Sequence, residues 1–308
     1  MNISILGAGA MGMLFGGYLS RENRVWLIDV DNRRVEEIQR QGVTVEEKDT
    51  ECVFHPQAVT DSRQLPVMDL VIVFVKAMYT QSALENNKHL LGENTYLMTL
   101  QNGAGHENKL LAFADREHVI IGSTQHNSSV AGPSRVRHGG GGKTSIGLVG
   151  GESSAIAHIA ENFTRCGFDC VTSDQVQKQI WSKLFLNTSA SSLTAVLQVP
   201  LGFILDDPYA CTLMERLARE AVAVANAEGL AFTEDEVLSS IKTVLANGKG
   251  GYTSIYADIK NGNRTEVDTI SGSVVEAARE QNIPVPCHET IVALIHAMED
   301  KARLANQA

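Results

Sequence analysis

An α/β domain followed by an all-helical domain is the architecture this sequence predicts, on three observations. The chain opens with a short β-branched run, Met1-Asn2-Ile3-Ser4-Ile5-Leu6, that passes straight into the glycine-rich turn Gly7-Ala8-Gly9-Ala10-Met11-Gly12. Short apolar runs then alternate with helical patterns up to residue 173, as expected of a parallel sheet covered on both faces. From Asp174 onward strand signals nearly vanish and long helical periodicities take over. The first domain is accordingly read over residues 1–173 and the second over 174–308.

Each glycine of the opening turn has a physical task in a dinucleotide-binding, Rossmann-type unit. Gly7 permits the tight turn, Gly9 lets the backbone approach a pyrophosphate, and Gly12 allows close packing of helix on strand. Ala8, Ala10 and Met11 complete the loop and open a helix whose N-terminal N–H groups and partial positive charge suit phosphate. A second strand, Val25-Trp26-Leu27-Ile28, ends in Asp29, about 20 residues on, where an acid would hold an adenosine ribose. The competing reading of the glycines alone is a plain tight turn.

Further strands are expected at Val71–Val75, Tyr96–Leu100 and Val119–Ile121, and helices at Met11–Ser20, Asn32–Gln41 and Gly105–Ala112. Val71-Ile72-Val73-Phe74-Val75 is apolar at every position, as a central parallel strand should be. Ser128–Arg137 and Lys143–Val149 flank His138-Gly139-Gly140-Gly141-Gly142, a pattern that predicts a hairpin with a mobile tip. A helix at Ser153–Cys166 and a strand at Phe168–Thr172 would close the first domain. In the second, helices are expected over Asp174–Leu197 and Tyr209–Glu228. Thr233 would cap a third, with acids in its first turn, and Pro284 and Pro286 would separate the last two.

Composition excludes several classes. With 44% hydrophobic and 20% charged residues, the chain resembles an ordinary globular protein able to bury a large core. A formal net charge of −10 leaves no basic excess to neutralise a nucleic-acid backbone. No apolar run approaches the roughly 20 residues that span a bilayer, and the N-terminal apolar residues belong to the first strand rather than to a leader. The expectation is a cytoplasmic protein with no nucleic-acid or membrane partner. The five cysteines, an odd number, are read as reduced and structural, and the scattered histidines give no metal site.

Chemistry concentrates in two stretches of the second domain. Lys183, Asn187 and Ser191 are spaced to share one helix face, among Leu184, Phe185 and Leu186. A lysine in such apolar surroundings is partly desolvated, which favours its neutral form and readies it to give and recover a proton. The competing reading is a surface stripe facing water. Farther on, Ser254 and Asp258 are also four apart, and Glu266 follows a glycine-containing bend and is expected to begin another helix. These groups suit a small hydroxylated carboxylate; the alternative is a capped helix–loop–helix.

Six separated pieces resemble the ketopantoate reductases along essentially the whole chain. They are Gly7–Gly12, Lys76 after Val73-Phe74-Val75, Gln101-Asn102-Gly103, Lys183 through Asn187, Thr253–Ile259 and Arg264–Asp268. The resemblance implies a Rossmann domain joined to a helical one, a site in the cleft between them, and NAD(P)H-dependent reduction of a 2-keto acid, 2-dehydropantoate to pantoate first. It implies that Lys183 is the general acid and Glu266 its acidic partner, contacting the substrate hydroxyl. By the same resemblance Lys76 lines the cleft, Asn102 sits by nicotinamide and substrate, and Asn187 and Ser254 hold polar groups of the substrate. Ser191, the remaining candidate substrate contact, stands where these reductases carry asparagine.

One departure bears on the cofactor. Reductases of this family often place a basic residue after the second strand to hold the 2′-phosphate of NADP, whereas Asp29 suits a free ribose diol and repels that phosphate. Arg33 and Arg34 lie close enough in sequence to restore NADP binding. Asp29 together with Gly103-Ala104-Gly105-His106-Glu107 also resembles a branch acting as NAD-dependent D-2-hydroxyacid dehydrogenases. A dinucleotide-sensing protein without turnover is the reading from another class, and it has no need for Lys183, Asn187, Ser254 and Glu266 together. Oligomeric state is open, a homodimer included.

Overall fold

The computed structural model describes residues 1–305. It divides into two compact units, one of Met1–Gln101 with His106–Gln179, the other of Asn102–Gly105 with Ile180 onward. The first unit is the α/β layer and the second is helical, so the expected fold class holds.

In the first unit the order is β1 (Asn2–Leu6), α1 (Ala10–Leu19), β2 (Arg24–Ile28), α2 (Asn32–Gln41), β3 (Val43–Glu46), β4 (Glu51–Phe54), β5 (Gln57–Val59) and β6 (Leu70–Val73). There follow α3 (Thr80–Asn87), β7 (Tyr96–Thr99), α4 (His106–Leu110), β8 (Val119–Thr124), β9 (Asn127–Gly132), β10 (Arg135–Gly140), β11 (Lys143–Leu148), α5 (Ser154–Arg165) and β12 (Asp169–Thr172). Eight strands form one sheet in the order β12-β11-β8-β7-β6-β1-β2-β5. From β5 to β8 every pairing is parallel. Strands β1 and β6 are neighbours although four strands separate them in sequence, so the chain changes direction across the sheet between them. In open α/β sheets such a switch point opens a crevice at the carboxyl ends of the strands. The core is built of Ile3, Ile5, Leu14, Leu27 and Ile72, with Phe15 stacked on Phe168 at 4.2 Å between ring centroids.

The expected hairpin across His138–Gly142 is not formed. Strand β10 pairs antiparallel with β9, through a turn at Pro133-Ser134, in a separate four-stranded sheet ordered β4-β3-β10-β9. Strand β11 instead joins the large sheet, antiparallel to β8 and parallel to β12. Residues Thr144 to Gly147 of β11 are buried, and a strand covered on both faces inside a core needs ladder partners on both edges. The glycine run carries the chain from one sheet to the other. Strands β3, β4 and β5 gave no clear sequence signal because they are short and mix polar residues, Glu46, Glu51 and Gln57 among them, with apolar ones.

The second unit holds most of α6 (Val176–Leu186), then α7 (Ser192–Leu197), α8 (Leu201–Asp206), α9 (Pro208–Ala227), α10 (Glu234–Asn247), α11 (Ser254–Lys260), α12 (Ser271–Glu280) and α13 (Pro286–Ala305). Trp181, Phe185, Met214, Leu217, Ile241 and Ile295 belong to one apolar core. The single helix expected over Asp174–Leu197 begins at Val176 and is interrupted by a π-helical turn, Asn187–Ser191. Thr233 caps α10 as expected, in a reciprocal capping box with Glu236. Glu266 does not begin a helix: it lies in a bend, and α12 starts at Ser271. Among the described residues no helix is long and apolar enough to cross a membrane.

Candidate active site

The glycine loop lies at the switch point. Gly7 leaves β1 with φ +99°, a left-handed conformation that a side chain resists, and a Cβ there would lie 2.8 Å from the backbone nitrogen of Val75. The loops leaving β1 and β6 thus touch through backbone. A Cβ at Gly12 would stand 1.9 Å from the Gly7 carbonyl oxygen, so that helix and loop pack without room for a methyl group. At Gly9 a Cβ would meet no protein atom within 4 Å, so its outer face is open. Gly9 is also the N-cap of α1 and brings no side chain to the first-turn N–H groups. Tight turn, open approach and close packing fall on the three glycines as a bound pyrophosphate requires.

Asp29 leaves β2 beside this loop. Its Oδ2 accepts the Ala8 N–H at 2.7 Å, and its Oδ1 accepts the Asp31 N–H at 3.0 Å. The Arg34 guanidinium stands 3.4 Å from Asp29 and 3.8 Å from Asp31, so this arginine is drawn toward two carboxylates. Next to Gly7 and Asp29 lies a recess of about 450 Å³, with Val30, Ser62, Arg63 and Tyr79 on its walls. That volume falls in the range of small-molecule sites, roughly 300–1,000 Å³. Val30 and Tyr79 are large and exposed, 94% and 56%, and offer apolar surface to a flat ring. Sequence reading missed these walls because Thr60–Arg63 reach the recess through β5, whose pairing with β2 was not foreseen. Lys76 follows β6 and precedes a short 3₁₀ turn, partly buried. The loop before it is pinned by Gln101, whose Nε2 donates to the Val75 carbonyl at 2.6 Å.

In the second unit, burial pushes the Lys183 ammonium down to about 8 from an ordinary value of 10.5, while the Glu266 carboxylate pulls it back up. The Lys183 side chain is partly buried on α6. Asn187 opens the π turn and Ser191 closes it, so the regular i, i+4, i+8 line breaks between them. Turns of this kind widen a helix and occur frequently at functional sites. The hydroxyls around the turn are tied inward: Thr188 and Ser192 both meet the Ser271 hydroxyl, at 3.1 and 2.9 Å. Thr194 donates to the Ser191 carbonyl at 2.7 Å and meets the Thr253 hydroxyl at 2.8 Å. Thr253 in turn caps α11, whose first residue is Ser254. Ser191 and Ser254 are thus linked through two threonines. Sequence reading named Ser191 and Ser254 but passed over Thr188, Ser192, Thr194 and Ser271, although Asn187-Thr188-Ser189-Ala190-Ser191-Ser192 is an unusually polar run for a buried helix.

Asn102–Gly105 folds with this helical unit. The Ala104 N–H donates to the Thr269 carbonyl at 3.1 Å, and the Thr269 N–H donates to the Glu266 carbonyl at 3.1 Å. Gly103, at φ +107°, lies so close that a Cβ would stand 2.0 Å from the Thr269 oxygen. Asn102 is thereby tied to the turn that carries Glu266. Lys183, Glu266 and Asn102 are brought into one unit from segments far apart in sequence.

Known proteins match this architecture along its length. The ketopantoate reductase PanE/ApbA family model matches residues 3–151, and its C-terminal counterpart matches 175–299. A 2-dehydropantoate 2-reductase of Halobacterium salinarum is 32% identical over 301 residues, 96% of this chain and 98% of that protein. One from Pyrococcus horikoshii is 30% identical over 97% of this chain and 98% of its own. Among solved structures, D-mandelate dehydrogenase with NADH and anilino(oxo)acetate superimposes with a TM-score of 0.92 at 28% identity, covering 98% of this chain and all of that one. A PanE/ApbA family ketopantoate reductase from Ralstonia eutropha gives 0.91 at 30% identity, with the same coverage. The chain belongs to the ketopantoate reductase family, whose members are NAD(P)-dependent oxidoreductases acting on 2-keto acids.

Proposed function

We propose that this protein reduces 2-dehydropantoate to pantoate, with Lys183 as the proton donor. The observation that carries the reading is the family match along the chain, supported by a partly buried lysine whose proton affinity burial lowers and the Glu266 carboxylate raises. When bound, a reduced nicotinamide supplies a hydride to the ketone carbon. Lys183, protonated, gives its proton to the ketone oxygen, and its positive charge offsets the negative charge growing there. A donor whose pKa lies near the working pH does this best, because it is both charged and willing to part with the proton. Glu266 keeps Lys183 protonated to a higher pH than burial alone would allow, and accepts a hydrogen bond from the substrate hydroxyl. Asn102, Asn187 and Ser254 orient the polar groups of the keto acid, and the Ser191 carbonyl is linked through Thr194 to Thr253, next to Ser254. Gly7, Ala8, Gly9, Ala10, Met11 and Gly12 receive the pyrophosphate, and Lys76 and Asn102 are proposed as further cofactor contacts. Asp29 accepts the ribose hydroxyls, so that NADH serves at least as well as NADPH.

A second reading, an NAD-dependent D-2-hydroxyacid dehydrogenase, is favoured by Asp29 and keeps the same lysine and glutamate. A panel of 2-keto acids that includes ketopantoate, assayed with NADH and with NADPH, separates the two. A site built around a hydroxyl penalises its absence, since a polar group is then left unpaired. Ketopantoate is therefore expected to exceed its des-hydroxy analogue by about tenfold or more in kcat/KM, and Glu266→Gln to narrow that gap. Faster reduction of aromatic or branched keto acids lacking the hydroxyl would transfer the assignment to the second reading.

A further inference from the structure

Glu266 lies in a bend, where its carbonyl accepts the Thr269 and Ile270 N–H groups, both at 3.1 Å, but no helix or strand runs through it. The residues on either side of it are nevertheless fixed. Thr265 is 1% exposed and Val267 is fully buried. A single carboxylate oxygen, Oε1 of Glu299 on α13, accepts both the Thr265 N–H at 2.7 Å and the Thr265 hydroxyl at 2.6 Å. The Thr265 hydroxyl oxygen in turn accepts the Val267 N–H at 3.2 Å. The other oxygen of Glu299 meets His296 Nδ1 at 3.0 Å, and His296 Nε2 meets Asp268 at 2.9 Å. Arg264 stands 3.7 Å from Asp268. Both ends of the bend are tied to one helix, with Glu266 between the ties.

This arrangement differs from an ordinary surface ion pair. The Glu299 side chain is 11% exposed, whereas Asp300 and Arg303, which pair one turn away, are 68% and 62% exposed. Two short charge-assisted bonds from one buried threonine fix a position far better than exposed charges do. We propose that Glu299 is a positioning residue for the reaction: by holding Thr265 through its amide and hydroxyl, it keeps the Glu266 carboxylate facing Lys183. The inference rests on the reading of Lys183 and Glu266 as the working pair.

The test reads the proton affinity of Lys183 directly and needs no substrate. Full-length protein is labelled with limiting acetic anhydride across pH, and the modification of the Lys183 peptide is followed by mass spectrometry. Wild type is expected to titrate near 8. Glu266→Gln removes the attraction and should move the midpoint to lower pH by about half a unit or more. Glu299→Leu should move it in the same direction, while Glu299→Gln, whose amide oxygen still accepts from Thr265, should stay at the wild-type value. Thr265→Val deletes one of the two bonds without introducing a charge, and gives the same direction should Glu299→Leu fail to fold. A merely structural Glu299 would lower the melting temperature and leave the midpoint where it was. A shifted midpoint in Glu266→Gln with an unshifted one in Glu299→Leu and Thr265→Val overturns the positioning role and leaves the pair intact. An unshifted midpoint in Glu266→Gln overturns the pair, and the inference with it.

Discussion

Replacing Lys183 with methionine should abolish most turnover and make the protein more stable. The side chain keeps its length and apolar stem but loses the charge that burial penalises. In the folded protein the lysine falls from 10.5 to about 8. At about 1.4 kcal/mol per pH unit, the net cost of keeping that ammonium charged in the fold is roughly 3 kcal/mol. The attraction of Glu266 is already inside that net figure. Because a depressed lysine is charged in both folded and unfolded states below about 8, the whole cost is present there. It fades as pH rises through the window from about 8 to 10.5, where the folded protein sheds its proton first. Thermal unfolding of the two proteins should therefore differ by roughly 5–10 °C at pH 7 in favour of Lys183→Met. The gap should close as the buffer approaches pH 10. Turnover, measured by loss of reduced dinucleotide absorbance, should fall by roughly 10²–10⁴, the scale of a lost general acid. A variant that is less stable at pH 7, or whose stability gap is the same at every pH, would refute the argument that this lysine is held charged against its surroundings.

Three further outcomes follow from the same geometry. For the reduction, kcat/KM should be level below pH 8 and fall about tenfold per unit above it, because Lys183 must carry a proton to give one; a profile that rises with pH contradicts the assignment. Asp29→Ala should shift preference toward NADPH, since it removes a carboxylate and releases Arg34 from one of its two partners; wild-type protein binding NADPH more than about tenfold tighter than NADH in a fluorescence titration would show instead that Arg33 or Arg34 dominates. Gly12→Ala should cost about 2 kcal/mol or more in thermal or denaturant unfolding and weaken dinucleotide binding, because the new methyl group would stand 1.9 Å from the Gly7 oxygen; unaltered melting and affinity would mean that α1 moves freely on the sheet.

The sequence by itself determined the class of the fold. Glycines at 7, 9 and 12 are legible because the demands they meet (positive φ, open approach, close packing) arise within a dozen residues. Apolar runs without alternation marked buried parallel strands for the same local reason. Lys183 was legible as a charge next to Leu184, Phe185 and Leu186, but the sequence left a stripe facing water as the competing reading until the family resemblance was weighed. What the tertiary structure decided is every feature that depends on partners distant in sequence. The separation of β10 from β11 depends on β8 and β12 covering the edges of β11. The π turn at Asn187–Ser191 is held by Ser271, more than 70 residues on, so helical spacing alone gave a straighter line of side chains than exists. Glu266 lies in a bend and not at a helix start because Thr265 is claimed by Glu299 from the last helix. Short-range sterics and desolvation are written in the order of residues, but long-range hydrogen bonds depend on which surfaces the core brings together.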